Sequence, residues 1–129
     1  MRSGSLADQV RGKGALGALS LEGDDTVPVS SACAVFAKSE MVSLLRKGIA
    51  EKNILAGLHA AITSRVYALL KRVEMQGDFV MTGGVAKNIG IVKRVSERVG
   101  VEILIPPEPQ IAGALGAAIF AAEKLNGTG

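Results

Sequence analysis

A chain of 129 residues holds one domain, or one half of a two-lobed protein, and excludes a large multidomain enzyme. Hydrophobic residues at 48% and charged residues at 21% describe a globular chain with one core, not a disordered or collagen-like one. Fifteen Lys and Arg against 12 Asp and Glu leave an interspersed net charge of +3, too mild to imply nucleic acid, and 3% aromatic content without Trp rules out a base-stacking surface.

The single cysteine, Cys33, excludes an internal disulfide framework and a self-contained zinc knuckle, and it fits a reducing compartment. No apolar run approaches the roughly 20 residues of a membrane span, and the first residues lack the apolar segment of a secretory signal. No membrane association is expected, and the default location is cytoplasmic.

Residues 1–26 scatter Gly4, Gly12, Gly14, Gly17 and Gly23 among small and polar residues with no sustained period, so most of this stretch reads as a loose lead-in. Val27 to Phe36 is β-branched and apolar, and Lys38 to Lys47 turns helical in pattern before Gly48, a C-cap. Asn53 is placed to cap the next helix. In that helix Ile54, Leu55, Leu58, Ala61, Ile62, Val66, Leu69, Leu70 and Val73 recur at three and four, one stripe about five turns long.

Gly77-Asp78 breaks the pattern, and Phe79 to Thr82 reads as a short buried strand running into Gly83-Gly84. A helix over Ala86 to Val99 follows, with Ile89, Val92, Val95 and Val99 on one face and Gly100 as its stop. Val101 to Ile105 is a second strand, ended by Pro106-Pro107. Gln110 to Leu125 carries the stripe Ile111, Ala114, Leu115, Ala118, Ile119 and Ala122 of a last helix. Its Gly113, Gly116, Ala117 and Ala121 leave room for another backbone or a ligand. The order of elements predicts an α/β layer fold, helix-rich with few strands. Two clear strands make a poor sheet, so either Val27 to Phe36 and part of the lead-in add strands or, the favoured expectation, partners lie outside this chain.

Three segments can carry chemistry. In Thr82-Gly-Gly-Val-Ala-Lys-Asn88, two glycines at the carboxyl end of a strand let a phosphate or ribose lie against the backbone, ahead of a helix with unpaired N–H groups. It is neither a Walker loop nor a dinucleotide fingerprint, and a tight turn that merely needs glycine explains it as well. Cys33, inside an apolar segment, reads by itself as a small buried hydrophobe. In Pro107 to Ala118, Gln110 and Gly113 can border a planar ring, with ordinary close helix packing as the other reading. His59 sits mid-helix without a second ligand at metal-binding spacing and reads as structural or solvated. Arg65, near the same apolar stripe, is a snorkelling side chain or a contact to a neighbouring lobe.

Taken together, Val29 to Glu40, Gly57 to Val66, Met81 to Asn88 and Pro109 to Ala118 resemble the C-terminal lobe of the ATPase subunits of benzoyl-CoA reductase and of the related activators of 2-hydroxyacyl-CoA dehydratases. The similarity runs from about Leu19 to Lys124. It implies the C-terminal half of an actin-like, sugar-kinase-like ATPase with a ribonuclease-H-like core, in which two lobes close on ATP or ADP with Mg²⁺. Residues 1–18 are then a lead-in or truncation edge and 19–129 the lobe itself. Under the resemblance Gly83, Gly84, Val85, Lys87 and Asn88 hold the ribose and phosphate side of the nucleotide, and Gln110 and Gly113 lie near the adenine. Cys33 matches a ligand of a [4Fe–4S] cluster shared across a two-fold dimer.

The family's work is to drive a low-potential electron, at the expense of ATP, into a partner that reduces an aromatic-CoA thioester or dehydrates a 2-hydroxyacyl-CoA. The implied partners are a second ATPase subunit or an identical copy, the reductase or dehydratase subunits, and an electron donor such as ferredoxin. The other lobe, with its acidic phosphate-binding strand, and the family's second cysteine have no match in this sequence. The isolated chain is therefore expected neither to hydrolyse ATP efficiently nor to hold a stable cluster. The competing expectations are a nucleotide-binding or dimerisation module of the same superfamily without catalysis, and a structural domain whose glycines only make turns.

Overall fold

The computed structural model describes residues 13–30, 34–73 and 77–127. Its elements are α1 (Lys13–Leu21), α2 (Ala34–Arg46), α3 (Glu51–Leu70), β1 (Phe79–Val80), a 3₁₀ turn (Gly84–Lys87), α4 (Ile89–Val99), β2 (Ile103–Leu104) and α5 (Ala112–Leu125).

The helix α3 is the spine. Its apolar stripe is buried at Ile54, Leu55 and Ala56, and α1 and α4 both pack against it and against each other. Helix α4 presents Ile91 and Val95 to a small core completed by Ile103 of β2, with Ile62, Val66, Phe79, Met81, Val92 and Val99 around it. The strands β1 and β2 pair in parallel, Phe79 with Ile103 and Val80 with Leu104, joined through the turn and α4 as a β-α-β unit. That unit puts the Gly83-Gly84 bend at the carboxyl end of β1.

Several sequence expectations are corrected. The lead-in is not loose from residue 13 on: α1 is a helix because α3 and α4 form a crevice that receives it, a tertiary reason with no local periodicity. Residues 26–30 form neither helix nor strand, with the Ser30 N–H bonded to Glu40 Oε2 at 2.7 Å, whereas Val35 and Phe36 belong to helix α2. Helix α3 starts at Glu51 behind Ala50, and Asn53 does not cap it. The Asn53 Oδ1 accepts instead from the backbone N–H groups of Asp24 (3.1 Å) and Asp25 (3.5 Å), while Lys52 pairs with Asp24. Helix α4 begins at Ile89 rather than Ala86, because the glycine pair is followed by a tighter 3₁₀ turn. Both strands shrink to two residues, and the first is not buried: Val80 is 54% exposed.

The helix ends behave as expected elsewhere. Gly48 and Gly100 both take φ +80°, the left-handed conformation that closes α2 and α4. Helix α5 forms from Ala112, but none of its residues is buried, and Ile111, Leu115, Ile119, Phe120 and Leu125 stand in solvent. With Val80, Leu104 and Ile105 of the strand region they make an apolar exterior that calls for a covering layer.

Candidate functional site

The bend after β1 is built on a conformation open only to glycine. Gly83 has φ +88° and ψ −179°, and its N–H donates to the Pro109 carbonyl at 2.7 Å. That hydrogen bond ties the bend to the segment leaving β2. The two candidate regions, 83–88 and 108–113, which the sequence leaves 20 residues or more apart, thereby form one surface.

The surface is open. A Cβ on Gly83 or Gly113 would meet nothing within 4 Å, and one on Gly84 would touch only Gln110 Nε2, at 3.4 Å. Gly84, Val85, Lys87, Gln110 and Gly113 are all exposed. Lys87 Nζ lies 3.5 Å from Glu108 Oε2 across the rim, a solvated pair of small energetic weight. The result is a shelf of bare main chain bordered by one amide and one cation. A flat heterocycle or a sugar can rest on such a shelf without meeting a side chain.

Asn88 does not face this shelf. Its Oδ1 caps α4, accepting from Gly90 N (3.1 Å) and Ile91 N (3.3 Å). The sequence reading offered unpaired N–H groups at this helix start, and two of them are taken by that cap. The Asn88 Nδ2 reaches His59 Nε2 at 3.3 Å, and His59 Nδ1 lies 2.7 Å from Ser20 Oγ. The Ser20 hydroxyl donates to the Gly17 carbonyl at 2.8 Å, and Arg94 Nη2 donates to the Ser20 carbonyl at 2.7 Å. His59 is 4% exposed and Ser20 fully buried. Burial holds the imidazole pKa below its ordinary value, and the charge of Arg94 pushes the same way.

His59 is thus structural, as its lone position on the helix suggests, yet it touches the residue that ends the glycine turn. Ser20 and Arg94 were invisible to sequence reasoning as parts of this network. Arg94 reads as a solvated face of α4, and Ser20 sits in a stretch without period. Glycines at 17 and 90 were the available signal, since they let three helices approach here. Cys33 lies outside the described residues, and among those that are described no cluster of His, Cys, Asp and Glu could hold a metal ion. None of the described helices is long and apolar enough to cross a membrane.

A β-α-β unit with a glycine bend at the carboxyl end of its first strand, open to solvent, has the layout in which α/β proteins place their ligands. Residues 10–121 match the BadF/BadG/BcrA/BcrD ATPase family, and the chain belongs to that family. It is 42% identical over 109 residues to the 2-hydroxyisocaproyl-CoA dehydratase activator of Clostridioides difficile, covering 84% of this chain and 41% of that one. It is 49% identical over 98 residues to the (R)-2-hydroxyglutaryl-CoA dehydratase activating ATPase of Acidaminococcus fermentans, covering 76% and 38%. Among solved structures, the 2-hydroxyisocaproyl-CoA dehydratase activator from Clostridium difficile with bound ADPNP superposes with a TM-score of 0.76 at 41% identity, over 88% of this chain and 42% of that one.

The family resemblance and the helix-rich α/β fold of an actin-like ATPase, both expected from the sequence, hold. The family match begins at residue 10, ahead of the Leu19 boundary expected from the motifs. The chain spans about two fifths of the length of these relatives.

Proposed function

We propose that the chain is the C-terminal lobe, from about residue 19 to 129, of an ATP-hydrolysing electron activator that serves a 2-hydroxyacyl-CoA dehydratase or an aromatic-CoA reductase in the cytoplasm. One observation carries the reading: the Gly83-Gly84 bend is open to solvent, hydrogen-bonded to Pro109 and bordered by Gln110, with the exposed Gly113 three residues further on. The similarity to an activator solved with bound ADPNP supports a nucleotide as the occupant.

On this reading Gly83, Gly84 and Val85 receive the ribose and phosphate side, Lys87 faces the phosphate charge, and Gln110 with Gly113 borders the adenine. Asn88 acts from behind, holding the turn. Bound ATP supplies the free energy difference between two conformations of the activator. What this chain's own groups contribute is binding and orientation. The shelf's one carboxylate, Glu108, already faces Lys87, so a Mg²⁺ ion and the hydrolytic water need ligands from the remainder of the protein. That favours a second reading for the chain on its own, a nucleotide-binding module without turnover.

The apolar exterior of α5 and the strands is then covered by the rest of the activator. Cys33 is proposed as one ligand of a [4Fe–4S] cluster shared with a second ATPase subunit or an identical copy. The dehydratase or reductase subunits accept the electron, and ferredoxin or a similar donor supplies it.

Gly84→Val tests the shelf. The added Cβ comes within 3.4 Å of the flexible end of Gln110, so the fold is expected to be retained, while the branched side chain stands where the nucleotide is proposed to lie. Titration calorimetry of the unsubstituted chain with ADP is expected to show binding, and the variant to lose at least about tenfold, or about 1.4 kcal/mol. Equal affinity in the two proteins, or no heat in either, removes the reading. For the cluster, anaerobic reconstitution with iron and sulfide in the complete activator is expected to give a paramagnetic signal that Cys33→Ser abolishes. A signal that survives the substitution excludes Cys33 as a ligand.

A further inference from the structure

The hydrogen bonds behind the glycine turn form a chain with a single consistent direction. Because Asn88 Oδ1 accepts from Gly90 and Ile91, its Nδ2 must donate, and His59 Nε2 must accept. The imidazole proton then sits on Nδ1 and is donated to Ser20 Oγ, whose own proton goes to the Gly17 carbonyl. Every polar atom in the row has a use in this arrangement and in no other. Two helices apart, the tautomer of His59 and the amide orientation of Asn88 are one choice.

We propose that His59 is a positioning residue for the nucleotide shelf: its neutral, Nδ1-protonated ring holds the Asn88 amide in the capping orientation and so sets the turn that carries Gly83 and Gly84. The proposal rests on the nucleotide reading above. If His59 takes up a second proton, Nε2–H faces Nδ2–H, donor against donor. The amide must then turn over, placing its N–H groups against those of Gly90 and Ile91, or the contact must open. The first change breaks the α4 cap, and the second frees the Asn88 amide from the ring that orients it, so the cap and the turn before it lose their support.

The charged groups around the ring reinforce the neutral form. From α4 the guanidinium of Arg94 faces it, and α1 offers only Ser20 and the Gly17 carbonyl, with Lys13 at its far end. On α3 the neighbours at three and four positions are Leu55, Ala56, Ile62 and Thr63, none charged. No carboxylate from these elements is placed to hold an imidazolium. The neutral ring therefore persists through neutral pH, and the network gives way only as pH falls below the ordinary imidazole range.

The test has two arms on the 129-residue chain. In the first, nuclear magnetic resonance follows the His59 ring, the Asn88 side-chain NH₂ and the Gly90 and Ile91 amides against pH without ligand. The four are expected to titrate together. Asn88→Asp, which keeps the cap and offers Nε2 a carboxylate, is expected to move the ring's titration to higher pH. In the second arm, ADP affinity is measured against pH for the unsubstituted chain and for His59→Gln, whose amide oxygen can still accept from Asn88 but takes up no proton. The unsubstituted chain is expected to lose about fivefold in affinity across the His59 titration, the equivalent of one lost helix cap. His59→Gln is expected to show only the titration of ADP itself.

Amides that ignore the ring overturn the proposal, as does an identical affinity profile in the two proteins. Amides that titrate with the ring in a chain that binds no ADP at any pH keep the coupling of His59 to the turn and overturn the nucleotide reading alone. If His59→Gln does not fold, the first arm decides alone: a ring titration that Asn88→Asp leaves where it was sinks the proposal.

Discussion

Gly57→Ala is expected to abolish folding of this region. The segment at residues 26–30 crosses α3 so closely that a Cβ on Gly57 would lie 1.7 Å from the Val27 carbonyl oxygen and 2.8 Å from its carbon. Both obstacles are main chain, so no rotamer change relieves them, and the segment must leave the helix. Overpacking that side chains can absorb costs about 1–3 kcal/mol, and this case exceeds that range. Against a net stability of about 5–15 kcal/mol for a domain, a loss beyond the overpacking range takes a large share of what holds the fold. Circular dichroism melts check it: a variant that unfolds within a few degrees of the unsubstituted chain contradicts the close crossing. Gly116 shows the contrast, since a Cβ there meets nothing within 4 Å.

Gly90→Ala should rank second, at about 3 kcal/mol or more, because it stacks overpacking on a broken network. Its Cβ would stand 2.4 Å from Ser20 Oγ, 2.5 Å from the Gly17 carbonyl and 2.9 Å from His59 Nδ1. The hydroxyl can rotate away, but only by giving up its bond to His59 and to the Gly17 carbonyl. The carbonyl can retreat only by moving α1 off α4. The expected result is a lowered denaturation midpoint together with accelerated amide exchange at Ile91 and in α1, since the cap and the helix contact fail together. A midpoint unchanged within error would mean that the three helices are not held this tightly. The two glycines mark the same design at different joints: main chain brought so near a helix that only hydrogen fits between them.

Much of the architecture was legible in residue order. The stripe from Ile54 to Leu70 identified the spine, Gly48 and Gly100 marked helix ends, and Gly83-Gly84 after an apolar run located the bend. These are short-range signals, written in side-chain periodicity and in φ values that only glycine takes freely. Helix α1 was illegible because its nine residues carry too little amphipathic pattern to form alone, and the crevice between α3 and α4 stabilises them. Asn53 and Asn88 show the same limit in side chains. Both are good capping residues, yet one turns to the Asp24 loop and the other caps α4 while bonding His59.

The candidate site divides along the same line. Of its members, Gly83, Gly84, Gln110 and Gly113 were visible from residue type and position, and Val85 and Lys87 came with the family resemblance. The Gly83-to-Pro109 hydrogen bond that makes them one surface was not. Family membership and the α/β class follow from the sequence alone, because glycine placement and apolar spacing are local properties that survive in the linear order. Which glycines are closely crossed, which asparagine faces inward, and that a lone histidine bonds a capping residue 29 positions away were decided only by the tertiary structure. Those outcomes depend on distances between segments that no local preference encodes.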